Sequence, residues 1–117
     1  MSNTYSDTLE KLFHQVHPEL FIVHQITFKN CFGAIAGYVD GHIFASCGKF
    51  GVALRLPPEV LAELLKEAGV AHLQYFPNGH VKKEYAVLPK SMIDDRGRFR
   101  ELVGKSVDFA LSRAYSP

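Results

Sequence analysis

The sequence predicts an α+β domain: a mostly antiparallel sheet with helices packed around it. Three observations predict it. Asp40-Gly41 sits between two apolar runs, the pattern of a tight hairpin. Leu9, Leu12, Phe13 and Val16 repeat at helical spacing near one end of the chain, as do Phe99, Leu102, Val103, Ser106 and Ala110 near the other. Between them, Pro57-Pro58 and Pro89 end strand-like runs abruptly. The order that follows is α-β-β-β-β-α-β-β-α, and the 117 residues are read as one domain spanning 1–117.

Helix one is expected from Asp7, with Glu10 completing a variant capping box. Pro18 disturbs it near His17, so Leu20 falls at its end or in the exit loop. Residues 22–28 are β-branched and aromatic enough for a first strand. In a type I′ turn both central residues need positive φ, which Gly accepts freely and Asp tolerates. Residues 32–39 and 42–47 are therefore read as paired strands around Asp40-Gly41, with 51–56 a third after a looser turn at Gly48-Lys49-Phe50. In that register Val39 faces His42 and Cys47 faces Ala34, while Cys31 points to the opposite face. Both cysteines are expected to be reduced, small apolar residues.

One face of this hairpin collects Gly33, Ile35, Gly37, Val39, His42, Phe44 and Ser46. The other collects Phe32, Ala34, Ala36, Tyr38, Ile43, Ala45 and Cys47. Neither face is polar, so both are expected to be covered, one by helices and the other by a further helix or a second chain. The small residues Ala34, Ala36 and Ala45 point to a close approach, which is the basis for expecting a homodimer. Helix two opens at Pro58 or Glu59, carries Val60, Leu61, Leu64, Leu65 and Ala68, and stops near Gly69. Residues 72–76 and 81–88 form a hairpin around Pro77-Asn78-Gly79. Asp94 or Asp95 caps the last helix, inside which Gly104 suggests a kink or a tight contact.

Composition excludes more than it selects. At 47% hydrophobic and 21% charged the chain is an ordinary globule, and a net charge of +1 gives no electrostatic case for nucleic acid or anionic membranes. No apolar run approaches the roughly 20 residues of a membrane span, and the N-terminus lacks the basic start and apolar core of a signal peptide. A cytoplasmic protein without membrane partners is expected.

Candidate chemistry is sparse. Glu10, His14 and His17 share one side of helix one, but exposed helix polarity explains them better than a metal. Gly33, Gly37 and Gly41 match neither a dinucleotide fingerprint nor a P-loop, because no helix follows and no Lys-Ser/Thr closes the run. No nucleophile elbow or Cys–His spacing occurs. No catalytic residue, metal or cofactor is assigned, and the protein is expected not to be an enzyme. Lys82-Lys83 with Arg96, Arg98 and Arg100 are the basic clusters; of these Lys82, Lys83, Arg96 and Arg100 would make any nucleic-acid contact.

The central stretch also resembles a known family. Phe32-Gly33, Gly37-Tyr38-Val39-Asp40-Gly41, Phe44-Ala45 and Leu54-Arg55-Leu56 are similar to the N-terminal domain of TfoX (Sxy), the bacterial competence regulator. Glu84-Tyr85-Ala86-Val87-Leu88-Pro89 resembles a later segment of that family, with Cys31 and Ala34 standing where it has Met and a second Gly. The resemblance implies the same α+β class, with a fold similar to secretion chaperones. The longer members carry a second C-terminal domain, so a standalone module is expected here. Tyr38, Asp40, Arg55, Glu84 and Tyr85 match the pattern and are the first candidates for a pocket or interface, Asp40 and Gly41 doubling as the structural turn. The expected function is a regulatory or adaptor module acting through contact with an unknown protein partner. Direct nucleic-acid binding and small-molecule binding around Tyr38 and Tyr85 are the alternatives.

Overall fold

The computed structural model describes residues 4–114; the remainder of the span read as one domain, 1–3 and 115–117, lies outside the described residues. Helix α1 (Thr4–Val16) buries Leu9, Phe13 and Val16 and stops before Pro18. It starts ahead of the expected Asp7, which is a first-turn charge at the positive end of the helix rather than its cap. A single turn follows, α2 (Leu20–Val23), where a strand was expected. The amides of Phe21 and Val23 bond the carbonyls of Pro18 and Glu19, and Leu20 is buried. These local bonds and that burial override the β-preference of Ile22-Val23.

Strands β1 (Ile26–Cys31), β2 (Ala34–Val39), β3 (His42–Gly48) and β4 (Gly51–Arg55) form a meander. Helix α3 (Pro58–Leu64) leads to β5 (Ala71–Gln74) and β6 (Val81–Leu88), followed by a short α4 (Lys90–Asp94) and the long α5 (Arg96–Ala114). The six strands make one antiparallel sheet in the order β1-β2-β3-β4-β6-β5. This is the α+β arrangement predicted, with α2 and α4 added.

Asp40 (φ 49°) and Gly41 (φ 85°) form the expected hairpin turn. The Asp40 carboxylate accepts from the Gln25 amide at 2.9 Å and bonds His24 Nδ1 at 2.7 Å, fastening the turn to the start of β1. A second turn of the same kind was not expected. Phe32 (φ 51°) and Gly33 (φ 79°) join β1 to β2, so strand two begins at Ala34 and Phe32 belongs to no strand.

The β2–β3 register differs from the expected one for a local reason. Val39 faces His42 and Tyr38 faces Ile43, but Gly37 then faces Ala45, leaving Phe44 as the extra residue of a β-bulge. Beyond the bulge Cys47 lies opposite Ile35 rather than Ala34. Phe44, Ala45 and Cys47 consequently join the core under the helices, while Ser46 lies opposite Ala36 on the other face. Cys31 pairs with Ala34, so the two free cysteines still sit on opposite faces. A bulged residue loses its ladder partners. The Phe44 carbonyl instead accepts from the fully buried Ser106 hydroxyl of α5 at 2.7 Å.

Helices α1 and α5 cover that face, with the Phe13 ring 5.4 Å from Phe44 and 6.5 Å from Phe99. Asp95 caps α5 by accepting from the Arg98 amide. The tight contact considered at Gly104 is not made: a Cβ there would meet nothing within 4 Å. Arginines of α5 clamp the neighbouring elements. Arg100 donates to the Val16 carbonyl at 2.8 Å and to Glu19 at 2.9 Å, tying α5 to α1 and α2. Arg98 grips both carboxylate oxygens of Glu67.

Two predictions follow from these contacts. Ser106→Ala removes the hydroxyl donor from the buried Phe44 carbonyl and is expected to cost about 1–3 kcal/mol in urea unfolding. The Arg100 hydrogen bond holds Glu19 down from 4.5 to about 2, and Arg98 likewise lowers Glu67. A carboxylate depressed in the folded state binds its proton more readily when unfolded, so its stabilisation is present above 4.5 and lost as pH falls. Thermal melts should therefore decline between pH 4.5 and about 2, and Glu19→Gln should flatten part of that acid limb.

Candidate functional site

The face of the sheet away from α1 and α5 is built from small side chains. Ala36 and Ser46 lie opposite each other, and Ala53 flanks Ser46 on β4; all three are fully buried. At the end of β3, a Cβ on Gly48 would fall 2.8 Å from both the Ala34 Cβ and the Phe50 ring, so only glycine fits there. Among the described residues no helix covers this surface. Aromatic side chains from turns do.

Tyr75, just beyond β5, reaches across to mid-β3. Ser46 donates its hydroxyl to the Ile35 carbonyl at 2.9 Å, so the Tyr75 hydroxyl, 2.9 Å away, donates to Ser46 Oγ. The Phe50 ring meets Tyr75 edge-on at 5.6 Å, and Phe32 packs against Tyr75 and Phe76, each at 5.6 Å. The β5–β6 pairing breaks register between His72 and Leu73, which lets this loop fold back over the sheet. In place of the further helix or second chain that was expected, a loop of the same chain covers this face.

The aromatic group leaves two adjoining hollows. One, about 220 Å³, is lined by Phe32, Tyr75, Phe76, Gly79, His80 and Lys82. The other, about 130 Å³, is lined by Cys31, Phe32, Ile43, Tyr75, Lys82 and Tyr85. Burial raises the ionisation of the Tyr75 and Tyr85 hydroxyls above the ordinary phenol value, so both stay protonated near neutrality.

Four of the five predicted pocket residues gather around Ile43. Tyr38 lies opposite it, Tyr85 shares the smaller hollow with it, and Arg55 donates to its carbonyl at 3.3 Å. Glu84 pairs with Arg55 at 3.4 Å, and the Arg55 guanidinium also lies 5.5 Å from the Phe109 ring centroid. Asp40 does not join them. Its carboxylate is taken up by Gln25 and His24, and the Gln25 amide, more than His24, lowers its pKa.

The four candidate nucleic-acid residues are not brought together. Lys82 lines the aromatic hollows and Lys83 is exposed beside it on β6, whereas Arg96 and Arg100 belong to α5 across the sheet, and Arg100 is clamped to Glu19. The histidines at and just beyond the end of α1 are likewise dispersed. His14 stacks on Phe21 at 3.7 Å and His17 bonds Glu19 at 3.2 Å. Among the described residues no group of three or more His, Cys, Asp or Glu is placed to hold a metal ion.

Phe32, Phe50, Tyr75 and Phe76 were missed because they read as ordinary strand or turn residues. A signal was there: each sits beside a turn containing glycine, where a strand-core aromatic has little reason to be.

A model of the TfoX N-terminal domain family matches residues 20–110. The chain belongs to the TfoX N-terminal domain family. The matched span runs from α2 through most of α5, so in this TfoX N-terminal domain it includes the sheet and all the aromatic residues of the open face. Membership supports a regulatory type of domain, in line with the competence regulator that names the family. No curated protein matches the chain. Among the described residues, no helix is long and apolar enough to cross a membrane.

The tyrosine that closes the open face gives a direct prediction. Tyr75→Phe keeps the ring and drops one hydrogen bond, and is expected to cost about 1 kcal/mol. Tyr75→Ala should uncover Ala36 and Ala53, seen as a rise in binding of a hydrophobic dye and faster alkylation of Cys31.

Proposed function

We propose that this TfoX N-terminal domain is a non-enzymatic regulatory or adaptor module that works through protein–protein contact, as a homodimer built on the edge strand β1. One observation carries the reading. Ile22 and Val23 are 84% and 71% exposed, a contiguous apolar pair on the one-turn helix that feeds β1. Among the described residues, strand β1 has a sheet neighbour on one side only. An exposed strand edge beside an apolar pair is a surface that soluble proteins cover or blunt. Pairing β1 with a second copy about a two-fold axis continues the sheet and buries both pairs.

A contact role also suits the polar groups of the open face. Arg55 and Glu84 neutralise one another, and Tyr75 and Tyr85 hold their protons too tightly to exchange them near neutral pH. The two free thiols fit the reducing cytoplasm. Direct binding of nucleic acid draws less support, because Arg98 and Arg100 are occupied by Glu67 and Glu19.

Sedimentation equilibrium tests the dimer. The chain should sediment at twice 13.1 kDa, and the double substitution Ile22→Asp, Val23→Asp should return it to 13.1 kDa with an unchanged far-ultraviolet spectrum. A wild-type chain that stays at 13.1 kDa at high micromolar concentration refutes the reading.

A further inference from the structure

We propose that the aromatic hollow beside the β1–β2 turn is a binding site for a small planar anion, an aromatic ring carrying a carboxylate or a phosphate. This goes beyond the contact role proposed above and uses a different surface. Phe32 is the first indication. It holds a left-handed φ of 51° that Asn, Asp or Gly would adopt with less strain, and the residue stays 67% exposed. A strained, bulky, exposed residue is retained where its side chain is needed. Phe76, 52% exposed, meets it edge to face at an interplanar angle of 69°, so the two rings form a wedge-shaped wall of the larger hollow.

Charge supplies the second indication. Lys82 lines both hollows, while no carboxylate is among the described residues lining either. Apolar walls with uncompensated positive charge complement a flat apolar body bearing negative charge.

Size and surroundings select a small molecule. A cavity of about 150 Å³ is enough for a benzene ring, and the larger hollow holds about 220 Å³. A nucleic-acid strand would need a track of free cations. The arginines of α5 instead lie on the far side of the sheet, with Arg98 and Arg100 held by glutamates.

The test titrates the full chain with naphthoate, naphthyl phosphate, uncharged naphthalene methanol and a thymidine oligonucleotide. Amide chemical shifts and the alkylation rate of Cys31 are followed, the latter located by mass spectrometry. Burial pushes the Cys47 thiol up to about 11, so alkylation near neutral pH reports on Cys31. Saturable shifts at Phe32, Phe76 and Lys82 with slower Cys31 alkylation are expected from at least one anion, and the tighter anion identifies the head group. Lys82→Gln should weaken that anion about fivefold and leave the neutral compound unchanged, whereas Phe76→Ala should weaken both. Equal binding of neutral and charged probes, no saturable shift at millimolar concentration, indifference to Lys82→Gln, or displacement by the oligonucleotide would overturn the proposal.

Discussion

The extra residue at Phe44 decides what each side of the sheet becomes. Without it, strict alternation would set Phe44 and Ser46 on one side and Ala45 and Cys47 on the other. The bulge turns Phe44, Ala45 and Cys47 toward α1 and α5 and leaves Ser46 facing outward. The helix layer then receives a large aromatic and two small residues, and the hydroxyl of Ser106 takes up the displaced carbonyl. On the opposite side the same shift presents Ser46 to Tyr75. One irregularity in one strand therefore supports both the core and the aromatic cover of the open face.

Much of the architecture was legible because its punctuation is chemical. Asp40-Gly41 can form few turns other than the one it makes. Pro57-Pro58 and Pro89 stand where strands give way to helices, and Asp95 caps α5 as an acidic N-cap should. What escaped had no such marker. Phe32-Gly33 reads as the start of a strand, because only the register of β1 on β2 shows those residues to be a turn. Ile22-Val23 carry a strong β-preference that Leu20 overrules by burial. The bulge leaves no trace in the alternation of apolar residues, since both faces of the hairpin are apolar.

The candidate site was legible only in part, for a related reason. Tyr38, Arg55, Glu84 and Tyr85 lie on regular strands, so their convergence around Ile43 follows from the sheet. Phe32, Tyr75 and Phe76 come together because a loop folds back over the sheet, and loop paths depend on tertiary packing rather than on periodicity. Arg100, named as a possible nucleic-acid contact, and Asp40, named both for the pocket and for the structural turn, each fasten segments distant in sequence.

The left-handed backbone at Phe32 sets two demands against each other. The turn on its own terms is best served by asparagine or glycine, which take that dihedral with less strain, by about 1 kcal/mol. The wedge with Phe76 needs an aromatic ring at the same position. Packing on Tyr75 also favours a ring there, so phenylalanine at position 32 balances backbone ease against the aromatic cover and, under the binding role proposed above, against the hollow.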